Sequence, residues 1–349
     1  MPSCSTVSAW GDSVRRRLIA LLALAALVLT GCVARAGNAG PQAAPAAVPL
    51  SELADLTLHI GDQKGGTESL LRAAGQLDGL PYRVAFATFT SGPPQVEAAA
   101  AGKIDFAIMG NTPPIFGAAS NARVKVVAAY AGGGPGNRIL VHADSPITSV
   151  ADLRGKAVAV GKGSSSHANL LAQLDKFGLK PSDVKLVFLQ PADALSAFNQ
   201  HQADAWAIWD PFTAQAEQQI PVRSIAEATG VTNGDWVGLA SDQALADPKR
   251  NTALSDILIR FAKAAKWAKA HPQEWGQYYA TAVGLDPQVA AVAANRSLRL
   301  PTELSDDVIN SEQRLADLFS ASEQIGSSPR FVNWVDRRFN DALRPSLIS

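Results

Sequence analysis

The feature that most limits what this chain can fold into is a repeated step from a short apolar run to a helix, with Gly, Asn, Asp or Pro at the joints. Residues 55–60 alternate apolar and polar side chains and stop at Gly61, the pattern of a half-buried strand entering a turn. The spacing over 67–74 predicts a helix. A second strand follows at 82–87, then an Ala-rich helix over 94–101 closed by Gly102, then a buried strand at 104–109. Further strands are predicted at 124–130 and 139–142. After a helical turn at 149–156 the rhythm restarts, with strands at 157–160, 184–189 and 204–209 and helices at 165–177, 192–199 and 211–219. Such alternation gives an α/β fold, with mainly parallel sheets covered by helices on both faces. From residue 244 the chain reads as helical. Leu254, Ile257, Leu258, Phe261 and Ala265 keep helical spacing, and helices are predicted over 272–282, 287–296, 306–320 and 330–343. They are expected to cover the first α/β unit.

An internal echo links the two units. Lys103-Ile-Asp-Phe-Ala-Ile-Met-Gly-Asn-Thr-Pro113 and Gln202-Ala-Asp-Ala-Trp-Ala-Ile-Trp-Asp-Pro211 each set an Asp before an apolar strand and a polar residue before a Pro. Two readings stay open. Either two similar lobes bring strand ends and helix starts to one cleft, the edge where open α/β sheets take ligands, or the likeness is that of any two βα units. A length of 349 residues accommodates two lobes.

Charge excludes one class of partner. The chain carries 31 basic and 31 acidic side chains, whereas nucleic-acid binding needs a basic face or stripe. The two cysteines are Cys4 and Cys32, so the body beyond residue 32 can form neither a disulfide nor a cysteine metal site. Its histidines, His59, His142, His167, His201 and His271, are scattered, and no nucleophile motif or metal spacing accompanies them. No metal, cofactor or catalytic group is therefore expected.

The N-terminus reads as an export signal. Arg15, Arg16 and Arg17 precede the apolar run 18–29, which is well short of the roughly 20 residues a membrane-spanning helix needs. Leu29-Thr30-Gly31-Cys32 resembles the lipobox of bacterial lipoproteins, in which the cysteine is lipidated and becomes the new N-terminus. A plain secretory signal is the alternative, and Arg15-Arg16 leaves twin-arginine export open. Residues 33–49, rich in Ala, Gly and Pro, read as a flexible tether.

Five segments carry a family resemblance: Ile60-Gly-Asp-Gln-Lys64, Gly110-Asn-Thr-Pro-Pro114, Asp144-Ser-Pro-Ile147 with Asp152-Leu-Arg-Gly-Lys156, Gly163-Ser-Ser-Ser-His167 and Ile208-Trp-Asp-Pro-Phe212. In this order, over about 56–270, they resemble the aliphatic sulfonate-binding proteins of ABC importers, within a group that also holds taurine-, nitrate- and thiamine-precursor-type proteins. The resemblance implies the type 2 periplasmic-binding architecture, two lobes joined by a two-strand hinge with the ligand cleft between them. The expected layout is a signal peptide at 1–31, a tether at 32–52, a first lobe at 53–143 and 240–349, and a second lobe at 144–239. It implies a lipid-anchored extracytoplasmic protein, expected to be a monomer, that delivers a small organic anion to permease and ATPase subunits. Nitrate, taurine, a thiamine pyrimidine precursor and a pyrimidine-synthase-like enzyme are the alternatives. The family usually has an aromatic residue where Asp62 stands, and Asp62 sets a negative charge near the expected site.

A sulfonate needs converging donors, and helix starts supply them. Gln63 and Lys64 follow the first strand, and Asn111 and Thr112 precede the helix opening at Pro113. Ser164, Ser165 and Ser166 form a hydroxyl-rich turn that reads as an anion cradle or as a simple cap. Gln63, Thr112, Ser164 and Ser165 are expected to hold the anionic head, with Trp209 against the organic tail. Asn111 and Asp210 complete the candidate set. Asp210 is expected chiefly to cap the next helix, and His167 to be structural.

Overall fold

The computed structural model describes residues 43–347. The expected signal peptide, Cys32 and the tether up to residue 42 lie outside them. The first strands, β1 (Thr57–Gln63), β2 (Arg83–Phe89), β3 (Phe106–Gly110) and β4 (Val124–Ala131), alternate with helices α1 (Thr67–Ala73), α2 (Gly92–Ala100) and α3 (Pro113–Ala119). The chain then crosses into β5 (Arg138–His142), β6 (Ala157–Val160), α4 (Ser165–Lys176), β7 (Lys185–Phe188), α5 (Pro191–Asn199), β8 (Ala205–Ile208), α6 (Phe212–Gln219) and β9 (Val222–Glu227). It returns through β10 (Trp236–Ser241) and continues as α7 (Asp242–Ala246), α8 (Pro248–Ala270), α9 (Pro272–Val283), α10 (Pro287–Arg296), β11 (Leu300–Thr302) and α11 (Asp306–Ala321).

The two sheets have strand orders β11-β4-β10-β3-β1-β2 and β7-β6-β8-β5-β9. In the first, β1 pairs in parallel with β2 and β3, and β10 runs antiparallel between β3 and β4. In the second, β6 pairs in parallel with β7 and β8, and β5 runs antiparallel between β8 and β9. The sheets share a plan, so the sequence echo has a structural meaning. β3 and β8 occupy equivalent places, each between a parallel and an antiparallel neighbour. Their leading aspartates do the same work: Asp105 Oδ2 accepts the His59 N–H at 2.8 Å, and Asp204 Oδ2 accepts the Ala157 N–H at 2.8 Å.

This is the expected two-lobed α/β architecture, with three differences. The lobe boundaries shift, because β5 belongs to the second sheet and β10 to the first. The crossings fall at 132–137 and 228–235, rather than after 143 and before 240. Strands β9, β10 and β11 appear where none was predicted. The helix expected over 330–343 is replaced by a 3-10 turn (Phe331–Trp334) and a short helix (Asn340–Leu343). Between them Val335 bridges Val126, and the Asp336 N–H donates to the Val126 carbonyl at 2.9 Å, which holds the chain extended beside β4.

The C-terminal helices cover both faces of the first sheet. Leu254, Ile257 and Phe261 of α8 pack with Leu58, Ile60, Phe106 and Tyr130, while Ile309, Leu315 and Phe319 of α11 pack with Ile104, Ala107 and Met109 on the other face. Local chemistry sets their limits: Asp247 caps α8 ahead of Pro248, Asp286 caps α10 ahead of Pro287, and Gly284 ends α9 in the left-handed region. The folded body begins within the span expected as tether, 32–52. Val48 packs on the core and its N–H donates to Thr252 Oγ1, and Leu53 is fully buried.

The two crossings lie side by side, the Ala228 N–H donating to the Asn137 carbonyl at 3.0 Å. Gly132 (φ 122°) and Gly133 (φ 97°) are required there. A Cβ on Gly132 would lie 2.1 Å from the Leu298 carbonyl oxygen, and one on Gly133 would lie 2.4 Å from Trp236 Nε1. This close passage brings the segment between α10 and β11 onto the hinge.

Candidate ligand cleft

A cavity of about 320 Å³ opens between the lobes. Gln63 and Lys64 reach it from the end of β1, Thr88, Phe89 and Thr90 from the end of β2, and Gln190 with residues 209–212 from the second lobe. Trp236, Trp275 and Tyr279 form its first-lobe floor, and Ser297, Leu298 and Arg299 complete it from the hinge.

Arg299 is the central group. It is 9% exposed, and its Cζ lies 3.8 Å from the centroid of the Trp236 ring. Among the described residues it makes no hydrogen bond and no ion pair. Burial pulls its pKa down, and the nearby Asp62 charge is the chief opposing effect. A guanidinium seated over an indole ring, and otherwise unbonded among the described residues, keeps N–H groups available for a planar or tripodal oxyanion. Three residues away, Arg296 is spent on the protein itself. Its Nε and one terminal nitrogen donate to the two oxygens of Asp210 at 2.8 and 2.9 Å, and it also pairs with Glu217 at 3.0 Å.

The helix starts are already occupied. Asp62 does not face the cavity: its carboxylate accepts the Thr67 N–H at 2.6 Å and the Glu68 N–H at 2.9 Å, capping α1. Burial raises its pKa, against the pull of those N–H groups and of Arg299. Ser164 caps α4, accepting from the His167 N–H at 3.3 Å and donating to the Gly161 carbonyl at 2.7 Å. Ser165 packs against the end of β3, where a Cβ on Gly110 would lie 3.1 Å from its own. The Asn111 amide donates to Asn233 on the second crossing, and Thr112 Oγ1 donates to Asn111 at 2.9 Å, both residues being buried. Asn111, Thr112, Ser164 and Ser165 therefore lie off the cavity, whereas Gln63 and Trp209 line it. Asp210 contributes backbone to the wall, but its side chain is fully buried under Arg296 and accepts the Ala214 N–H at 3.1 Å. Burial pushes its carboxyl up, to about 6, and Arg296 pulls it back. The expected capping role fits.

Sequence reasoning missed Arg299, Trp236, Tyr279 and Gln190. The available signal was Leu298-Arg-Leu300, an apolar alternation broken by one cation between two predicted helices. Gln190 also closes the cleft. Thr90 Oγ1 and Ser91 Oγ, from the first lobe, donate to its Oε1 at 3.0 and 3.2 Å. His167 sits among Phe116, Phe188 and Phe319, at the contact between α4 and the first lobe, and burial lowers its pKa to about 3.

A family model of NMT1/THI5-like proteins matches residues 87–275, which span the end of β2, the whole second lobe and α8. The chain belongs to the NMT1/THI5-like family. A protein of Escherichia coli (strain K12) named for binding aliphatic sulfonates is 34% identical to this family member over 307 residues, covering 87% of this chain and 91% of its own. One of Bacillus subtilis (strain 168) with the same name is 32% identical over 332 residues, 93% and 96% of the two chains. The alkanesulfonate-binding protein SsuA from Xanthomonas axonopodis pv. citri, solved with MOPS bound, superposes with a TM-score of 0.74 at 30% identity, over 84% of this chain and 100% of that one. The desulfurization enzyme DszB shares the fold alone, with a TM-score of 0.60 at 16% identity over 83% and 99% of the two chains.

Proposed function

We propose that this NMT1/THI5-like protein is an extracytoplasmic solute-binding protein that captures an organosulfonate and hands it to an ABC importer. The observation that carries this reading is Arg299, a buried cation without a carboxylate partner among the described residues, stacked on Trp236 and open to an aromatic-walled cleft. A permanent monoanion with an organic tail satisfies both features. Nitrate has no tail for the rings, and a neutral pyrimidine leaves the guanidinium without a counter-charge. The sulfonate-binding names of relatives at about one-third identity over nearly the whole chain support the same ligand class, and the export signal read at the N-terminus supports the extracytoplasmic site. The head is held by Arg299 with Gln63, in place of the serines and Thr112 of the sequence expectation, and Trp209 keeps its role against the tail. A binding role is favoured over an enzymatic one because most of the cleft's polar side chains, Arg299, Lys64, Gln63, Thr88, Thr90 and Gln190 among them, are donors and amides suited to holding an anion, and its one carboxylate from the described residues, Asp210, is committed to Arg296. Cys32 is proposed to carry the lipid that keeps a monomeric protein at the membrane. Mass spectrometry finding an unmodified Cys32 on the mature protein would exclude the anchor.

Calorimetric titration of alkanesulfonates tests the ligand. Arg299→Gln should weaken binding by roughly two orders of magnitude, the value of two charge-assisted hydrogen bonds. Retention of wild-type affinity by a folded Arg299→Gln protein would remove the central support.

A further inference from the structure

Resting on that reading, we infer that the preferred ligand is a sulfonate whose tail is an uncharged aromatic ring, and that zwitterionic sulfonates are rejected. Two independent features of the cleft converge on this.

The first is the composition of the walls. Trp209 and Phe212 stand on the second lobe, and Phe89, Trp236, Trp275 and Tyr279 on the first. A tail between the lobes therefore meets rings on both sides, and offset or edge-to-face contact with a flat tail adds to simple area burial. A flexible alkyl tail gains the burial alone and loses rotamer freedom when it is ordered. The space is also generous. A cavity of about 150 Å³ holds a benzene molecule, and the 320 Å³ here takes a substituted ring together with its sulfonate.

The second is charge. Arg299 and Lys64 both line the cavity. Three carboxylates around it are committed elsewhere: Asp62 to the first turn of α1, Asp210 to Arg296, and Glu217 to Arg296 and Arg138. An ammonium on the ligand's tail would meet two cations and, among the described residues that line the cavity, no free carboxylate, and would lose its hydration without compensation.

Four ligands, titrated calorimetrically into the purified protein, separate the possibilities. Toluene-4-sulfonate and heptane-1-sulfonate carry the same number of carbons, and taurine and propane-1-sulfonate differ by an ammonium in place of a methyl. We expect toluene-4-sulfonate to bind about fivefold tighter than heptane-1-sulfonate. Taurine should bind at least tenfold weaker than propane-1-sulfonate, an order-of-magnitude expectation from the unpaired charge. Trp209→Leu, which keeps apolar volume but removes a ring, should narrow the arene advantage. An arene no tighter than the alkane, an arene advantage unchanged in Trp209→Leu, or taurine equal to propane-1-sulfonate would overturn the inference while leaving sulfonate binding intact. Failure of all four ligands to bind would overturn the underlying reading as well.

Discussion

Arg296 and Arg299 are neighbours in sequence with opposite fates, and the difference lies in what faces them. Arg296 finds Asp210 and Glu217 on the second lobe and ties the lobes together, whereas Arg299 finds an indole face and the cavity. His167 shows the same rule at a neutral group. It is fully buried, with Nδ1 accepting the Gly163 N–H at 3.2 Å and Nε2 without a partner among the described residues. Burial lowers its folded pKa from 6.5 to about 3. Between those values the unfolded chain takes up a proton that the folded protein refuses. Its contribution is thus fully present above pH 6.5 and is lost as the pH falls towards about 3, by up to about 1.4 kcal/mol per pH unit. Denaturant midpoints measured from pH 7 to 4.5 should fall more steeply for the wild type than for His167→Asn, which keeps an acceptor near Nδ1. Parallel slopes would show that His167 is not held neutral.

At the scale of the elements, the cleft is ringed by helix starts whose capping groups are already committed. Asp62 serves α1, Ser164 serves α4 and Asp210 serves the first turn of α6. The cap positions of α2 and α5 use their side chains differently, since Ser91 and Thr90 donate across the cleft to Gln190. Gln190→Ala removes both of these bonds and leaves the Arg296 ion pairs in place. At about 1 kcal/mol net per bond, the free protein should open, with a larger radius of gyration in small-angle scattering than the wild type. The two proteins should converge at saturating ligand, and equal radii in the free state would show that Gln190 is no latch. These committed caps explain what the sequence concealed. A Ser or Asp before a helix has one signature whether it serves its own helix or a ligand, so the starts of α1, α3 and α4 were legible and their use was not. Arg299 had no motif around it. Gln63 and Trp209 were legible because each closes a strand at the cleft edge. Strands β9, β10 and β11 escaped because they find their partners far along the chain, where local periodicity carries no information.

At the largest scale, the described residues form one lobe inserted into another. The second lobe is a single continuous stretch from β5 to β9, and its two ends meet where Ala228 bonds to Asn137. The first lobe is split, and its sheet takes an inner strand, β10, only after the chain returns. That connectivity dictates an order of assembly. The second lobe can complete itself as soon as its own segment is available, because each of its strands has its partners within it. β4 cannot join β3 until β10 arrives to lie between them, and pairings that span so much chain form late. Pulse-labelled hydrogen exchange during refolding should therefore protect the amides of β5, β6 and β8 before those of β4. Protection of β4 first would mean that the first lobe folds by some other route. If assembly follows this order, the inserted lobe is complete before β10 can join β4 to the half-sheet that carries Gln63, and the cleft comes into being late in folding.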